Sequence, residues 1–260
     1  MFEKEYEIMK KAVRYVGDNI FLDHAKTITS KGAFDYFTDK DIECEKYIID
    51  TIKKNFPNDN IVSEETNSQN EVKNRSWIID PIDGTLNYMY DLPICGVQVA
   101  FFADNDYQFS FIYLPYIKEF YYAIKGRGAF LNDKRIENSP VETKDALVDI
   151  DLHTRDTIVA KMELDSIYEL LPHVLRIRMS GSACFSLSKT ASSCFGAHLI
   201  VAKKLNPWDI MPGLLICKES QKFITDEIYK DYRLIIVAQT KELQSLLENI
   251  FKKNIDKMYK

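Results

Sequence analysis

The chain has 260 residues, of which 46% are hydrophobic, 28% charged and 12% aromatic; that length and balance support a substantial core and exclude disorder, collagen and coiled coil. Lys and Arg number 34 against 39 Asp and Glu, a net charge of −5, so the basic footprint of a nucleic-acid binder is missing. An anionic substrate then needs local help, from a metal or from backbone N–H groups. No apolar run nears the roughly 20 residues that span a bilayer, and the start, Met1-Phe2-Glu3-Lys4-Glu5, lacks a secretory h-region. Five scattered cysteines form no CxxC pair and four histidines none at metal spacing, which argues against zinc clusters and a disulfide framework. The expectation is a cytoplasmic protein with reduced, mostly buried thiols and no membrane or nucleic-acid partner.

In chain order, Phe2, Tyr6, Met9, Val13, Val16 and Ile20 recur every three or four residues and predict an amphipathic opening helix. A second helix is predicted from about Lys40 to Asn55. Its stripe is Ile42, Ile49, Ile52 and Phe56, and Thr38 and Asp41 are spaced as a capping box. Short β-rich segments follow at Ile61-Val62, Trp77 to Ile79, Val97 to Phe102, Phe109 to Leu114 and Phe120 to Ile124, then a Lys125-Gly126-Arg127-Gly128 turn before Ala129 to Leu131. Beyond about Pro140 strands and helices alternate: strand Leu147 to Leu152, helix Thr157 to Leu171, strand Val174 to Met179, and a small-residue helix Cys184 to Phe195. Strand Ala197 to Ala202, a helix over Trp208 to Cys217, strand Leu234 to Val237 and a final helix around Leu243 to Phe251 complete the pattern. The first part reads as α+β with a mostly antiparallel sheet, the second as α/β.

The most informative stretch is Trp77-Ile78-Ile79-Asp80-Pro81-Ile82-Asp83-Gly84-Thr85. An apolar strand ends in two carboxylates three positions apart, and strand ends are where ligands of layered α/β proteins bind. Two such acids repel each other unless a cation or a shared proton neutralises them. Oxygen donors alone favour a hard cation, Mg2+ first. Gly84 and Thr85 then open the next segment with N–H groups for an anion. An Asx-turn is the plain alternative, since Asp-Pro and Asp-Gly are ordinary turn pairs. Ser63-Glu64-Glu65 follows another strand, and Asn206-Pro207-Trp208-Asp209 sets a carboxylate in the first turn of a helix, where acids also serve the helix dipole.

Together these elements resemble the inositol monophosphatase family, the Mg2+-dependent, lithium-sensitive phosphatases related to fructose-1,6-bisphosphatases. Thr38 to Asp41, Ser63-Glu64-Glu65, Asp80 to Thr85, Lys125 to Phe130, Gly181-Ser182-Ala183 and Trp208-Asp209 follow the family's order over nearly the whole chain. The resemblance implies a layered αβαβα sandwich of the sugar-phosphatase type in two subdomains. Residues 1–140 would form an α+β part with most metal ligands, and residues 141–260 an α/β part supplying Asp209 and the substrate rim. It implies two or three Mg2+ ions: Glu64, Asp80 and the Ile82 carbonyl on one, Asp80, Asp83 and Asp209 on a second, and Asp41 near a weaker third. Glu64 and Thr85 would orient and deprotonate the attacking water, Gly84 and Thr85 cradle the phosphate, and Gly181, Ser182 and Ala183 line the organic part of the substrate, with Asp83 also in reach. Lithium sensitivity and a homodimer are further implications of the resemblance.

Two departures concern the rim. Where inositol-hydrolysing members carry an acid seven places before the Trp-Asp aspartate, this chain has Ala202, followed by Lys203 and Lys204. The acidic-Gly-Gly turn expected after the last metal helix is replaced by Lys218-Glu219-Ser220-Gln221-Lys222. The expected activity is thus hydrolysis of a small phosphorylated polyol or sugar. A fructose-1,6-bisphosphatase and a 3′-phosphoadenosine 5′-phosphate phosphatase are the nearer alternatives, although Leu86-Asn87-Tyr88 is closer to the inositol-type pattern. A non-catalytic regulatory binding protein on the same fold is the alternative of another class.

Overall fold

The computed structural model describes residues 2–25, 27–32, 35–152 and 156–259. The opening stripe forms helix α1 (Glu3–Val16), and one π-turn at Gly17–Phe21 re-phases the chain so that Ile20 and Phe21 are buried together. A hairpin of β1 (Ile28–Gly32) and β2 (Asp35–Thr38) follows. Periodicity does not announce it, because all of β1 is exposed and no face alternates. Helix α2 (Asp39–Asn55) begins at the expected capping box: Thr38 Oγ1 accepts from Lys40 N and Asp41 N, and the Asp41 carboxylate accepts from Thr38 N at 2.7 Å. Its buried stripe is Cys44, Ile48 and Ile52. Ile42, expected on that stripe, stands at its margin and is 36% exposed.

Strands β3 (Asn60–Ser63), β4 (Ser76–Asp83), β5 (Gly96–Ala103), β6 (Asp106–Leu114), β7 (Glu119–Ile124), β8 (Gly128–Leu131) and β9 (Lys134–Arg135) form one sheet in sequence order. Only β3 and β4 are parallel, and the short helix α3 (Thr85–Met89) lies between β4 and β5. The second half runs β10 (Leu147–Ile150), α4 (Thr157–Leu170), β11 (Arg176–Arg178), α5 (Ala183–Ala191), β12 (Ala197–Ala202), α6 (Pro207–Glu219), β13 (Phe223–Tyr229), β14 (Tyr232–Ala238) and α7 (Lys241–Lys257). Its sheet has the order β11-β10-β12-β14-β13, with β10 parallel to both of its neighbours. β13 is an edge strand whose Asp226 and Glu227 hid it from pattern reading.

Among the described residues, the three largest of four apolar clusters stack these elements. Met9, Val13, Ile48 and Ile52 of the first two helices meet Trp77, Val97 and Phe111 of the seven-stranded sheet. Leu187 of α5 and Ile210 to Cys217 of α6 fill the space between the sheets against Ile112, Ile200 and Ile235. Helices α4 and α7 cover the far face of the second sheet through Met162, Leu170, Leu247 and Phe251. The layers are therefore α, β, α, β, α, as expected. A central helix pair must be apolar nearly all round, and α6 is.

The five thiols are free and four are buried. Cys194, predicted on the small-residue helix, lies past the end of α5 and is exposed. His198 is buried with Nδ1 3.0 Å from Asp149 Oδ2; His153 lies outside the described residues. Among the described residues no helix is long and apolar enough to cross a membrane.

Candidate active site

In a regular strand residues three apart point to opposite faces. β4 avoids this: Asp80 pairs with Gln98 and Asp83 with Gly96, so a bulge sets two residues, Pro81 and Ile82, against one, Val97. The bulge brings both carboxylates to the side that faces α6, and it accommodates a proline that cannot donate to the ladder. Gly84 then turns the chain with φ 84° and ψ 40°, and a Cβ there would stand 2.9 Å from the Ile94 carbonyl oxygen. Only glycine combines that angle with that approach. The Thr85 hydroxyl donates to the Ile82 carbonyl at 3.0 Å and stands 3.4 Å from Asp41 Oδ1. Asp41 is held in turn by the Thr38 hydroxyl at 2.6 Å, so the α2 cap also orients a site carboxylate.

Glu64 arrives from the parallel neighbour. Its N–H donates to the Ile79 carbonyl at 3.2 Å, which continues the β3–β4 ladder by one residue. Buried Glu45 of α2 pins the loop by accepting from Glu65 N and Thr66 N, each at 2.9 Å. Asp209 comes from the central layer. Trp208 packs on Val62, Ile78 and Ala100 of the first sheet, and Asp209 Oδ2 accepts from Asn206 N at 3.1 Å in the first turn of α6. Gly181, Ser182 and Ala183 lead into α5, where the Ser182 hydroxyl lies 3.4 Å from Asp83 Oδ2 and Cys184 N donates to the same oxygen. Asn87 clamps this rim to α3: its Nδ2 donates to the Ile94 and Ser180 carbonyls at 2.8 and 2.9 Å.

The acids raise one another's proton affinity. Asp80 is 2% exposed; burial pushes its carboxyl well above the usual range, and Glu64, Asp83 and Asp209 push further. Burial lifts Asp83 to about 6 even though Cys184 hydrogen bonds oppose it. Asp209 is lifted to about 7, by burial first and then by Asp83 and Glu64. Asp41 rises to about 6, mainly by burial.

Among the described residues no three His, Cys, Asp or Glu side chains are gathered about one point as a closed ligand set. Asp83 and Asp209 accept from backbone N–H groups, and Glu64 lies 3.3 Å from Lys31 Nζ. The donor chemistry still fits a hard divalent cation. Among the described residues Asp80 Oδ1 is buried without a hydrogen-bond partner, the neighbouring carboxylate donors are oxygen, and their mutual repulsion calls for positive charge.

Two contributors escaped sequence reasoning. Gln98 Nε2 lies 3.4 Å from Asp80 Oδ2, 3.5 Å from Asp83 Oδ2 and 3.1 Å from the Asp209 carbonyl oxygen. It bridges the strand carboxylates to α6. Its signal was available, as the one polar side chain in Gly96-Val97-Gln98-Val99-Ala100-Phe101-Phe102. Gln98→Ala is expected to lower kcat about tenfold, because it releases the alignment of the strand carboxylates with α6; steady-state kinetics checks this. Lys31, on exposed β1, reaches Glu65 Oε2 at 2.6 Å as well as Glu64, and neither its type nor its spacing marked it.

A cavity of about 210 Å³ opens beside these groups, lined by Asp83, Asp209, Asp151 and Gly181 to Ala183. Ile200, Leu205 and Ile210 form its apolar side.

The sequence model of the inositol monophosphatase family matches residues 2–250. The chain belongs to the inositol monophosphatase family. A fructose-1,6-bisphosphatase/inositol-1-monophosphatase of Thermotoga maritima is 32% identical over 222 residues, covering 83% of this chain and 82% of that protein. The Nus factor SuhB of Vibrio cholerae is 29% identical over 253 residues, covering 92% and 93%. A solved IMPase structure from Thermotoga maritima has a TM-score of 0.85 at 26% identity, covering 99% of this chain and 100% of that one. An IMPase/NADP phosphatase structure complexed with Mg2+ and phosphate, 21% identical, shares the fold with a TM-score of 0.81 over 95% of each chain.

Within this inositol monophosphatase fold the atypical rim has a physical description. Ala202 ends β12, buried in the core between the sheets. Lys203 is exposed, 3.4 Å from Asp156. In place of a Gly-Gly turn, Gln221 takes the left-handed conformation with φ 62°. The Lys125 to Gly128 turn lies apart from the cavity, where Gly126 N and Gly128 N donate to Glu219 at the end of α6 at 2.8 and 2.9 Å.

Proposed function

We propose that this protein is a Mg2+-dependent phosphomonoesterase that hydrolyses a small phosphorylated polyol or sugar by direct attack of water. The observation that carries the reading is the convergence of Glu64, Asp80, Asp83, Asp209 and the Asp41–Thr85 pair, from five separate elements, on one crevice beside a small cavity. Glu64, Asp80 and the Ile82 carbonyl would hold one cation, Asp80, Asp83 and Asp209 a second, with Asp41 near a third. When bound, Mg2+ lowers the pKa of water and offsets charge on the attacking and leaving oxygens.

The chain's own groups supply the rest. The Gly84 and Thr85 N–H groups receive phosphate oxygens at the strand-to-helix turn. The Thr85 hydroxyl would orient the attacking water and relay its proton to Asp41 Oδ1, 3.4 Å away, with Glu64 as the second acceptor. Asp83 and the Gly181 to Ala183 backbone receive the organic half in the cavity. No Ser, Cys or His nucleophile is required.

The relative called a Nus factor supports a second reading, a regulatory binding protein on the same fold. One assay separates them. Purified protein is expected to release phosphate from inositol 1-phosphate with Mg2+ and not with EDTA, with fructose 1,6-bisphosphate and 3′-phosphoadenosine 5′-phosphate as comparison esters. No turnover of any of them with Mg2+, alongside a stoichiometric protein partner retained by Asp80→Asn, favours the regulator.

A further inference from the structure

The cavity beside Asp83 and Asp209 contains a third carboxylate, Asp151, that belongs to none of the motifs above. It follows the last residue of β10, and its N–H donates to the Leu199 carbonyl of β12 at 3.0 Å, so the sheet fixes its position. The other two acids are engaged: Asp83 accepts from Cys184 N, and Asp209 from Asn206 N at 3.1 Å. Among the described residues no donor is hydrogen-bonded to the Asp151 carboxylate. Ile200, Leu205 and Ile210 also line the cavity, and no Lys or Arg does among the described residues.

This pairing has a chemical meaning. A carboxylate accepts hydrogen bonds from two neighbouring hydroxyls and cannot donate when ionised. The apolar part of the lining suits the C–H face of a ring or polyol chain. A second phosphoryl group in the same space meets the Asp151 carboxylate. Resting on the phosphatase reading above, we propose that Asp151 is the specificity-determining residue for the alcohol half of the substrate. It accepts from adjacent hydroxyls of a neutral polyol and disfavours a bisphosphate.

The test compares wild type, Asp151→Ala and Asp151→Asn with saturating Mg2+ on inositol 1-phosphate, fructose 1,6-bisphosphate and p-nitrophenyl phosphate, with thermal melting to confirm folding. In Asp151→Ala the kcat/KM ratio of inositol 1-phosphate to p-nitrophenyl phosphate is expected to fall about tenfold, through KM. Asp151→Asn, nearly isosteric and uncharged, is expected to raise the ratio of fructose 1,6-bisphosphate to inositol 1-phosphate several-fold. Ratios that stay within twofold of wild type in both variants overturn the assignment. Wild-type protein inactive on all three esters instead removes the phosphatase reading, and Asp151's role with it. A shift between esters and a loss on every ester are distinct results.

Discussion

Asp80→Asn is expected to lower kcat by about three orders of magnitude or more while the metal-free protein melts at a higher temperature than wild type. Both directions come from one arrangement. Asp80 is buried, its Oδ1 has no hydrogen-bond partner among the described residues, and Glu64, Asp83 and Asp209 all raise its proton affinity. As a ligand shared between two cations it would contribute to both, so an amide weakens both at once. As a buried acid among acids it opposes folding unless protonated, so the amide relieves that cost. A rise of a few degrees, for a chain of this size, corresponds to about 1 kcal/mol. Phosphate-release kinetics and calorimetry in EDTA measure the two effects independently. Near-wild-type turnover would falsify the shared-ligand role of Asp80.

The metal-free protein is also expected to lose stability as pH rises from about 4 to about 7, and Mg2+ to restore it. In the fold Asp41 and Asp83 stand near 6, Asp209 and Glu65 near 7, all above the roughly 4 of an unfolded carboxylate. Below about pH 4 both states hold these protons and the contribution is fully present. As pH climbs through the folded values the unfolded chain has already released protons that the folded cluster keeps, so stability falls. Salt-bridged Glu169, held down to about 2 by Lys253 and Lys257, acts oppositely and only in stronger acid. Magnesium binds the deprotonated cluster, so its stabilisation grows with pH. Melting temperatures in EDTA and in millimolar MgCl2 are expected to differ by on the order of 5 °C at pH 8 and by less at pH 5. An equal shift at both pH values, or none at pH 8, contradicts a carboxylate metal site here.

Much of this was legible in the residues. The Thr38–Asp41 cap, the apolar strand ending at Asp80, and strand Ala197–Ala202 stand where local pattern puts them, because caps and apolar alternation act within a few residues. The β1–β2 hairpin and β13 were not legible: exposed strands carry little burial pattern to read. Likewise Gln98 and Asp151 carry no motif. Gln98 acquires meaning only because the Asp80–Asp83 bulge and the first turn of α6 meet over it, and Asp151 only because the second sheet ends beside Asp83.

The sequence by itself determined most of the element pattern through local periodicity, and short strings determined the candidate acids and the family resemblance that implies the αβαβα class. Tertiary structure alone decided which of those acids share a crevice, how far their proton affinities rise, and what wall faces them. Those properties depend on burial and on distances between segments up to about 150 residues apart, such as Glu64 and Asp209, and desolvation and Coulomb repulsion exist only once the layers have packed.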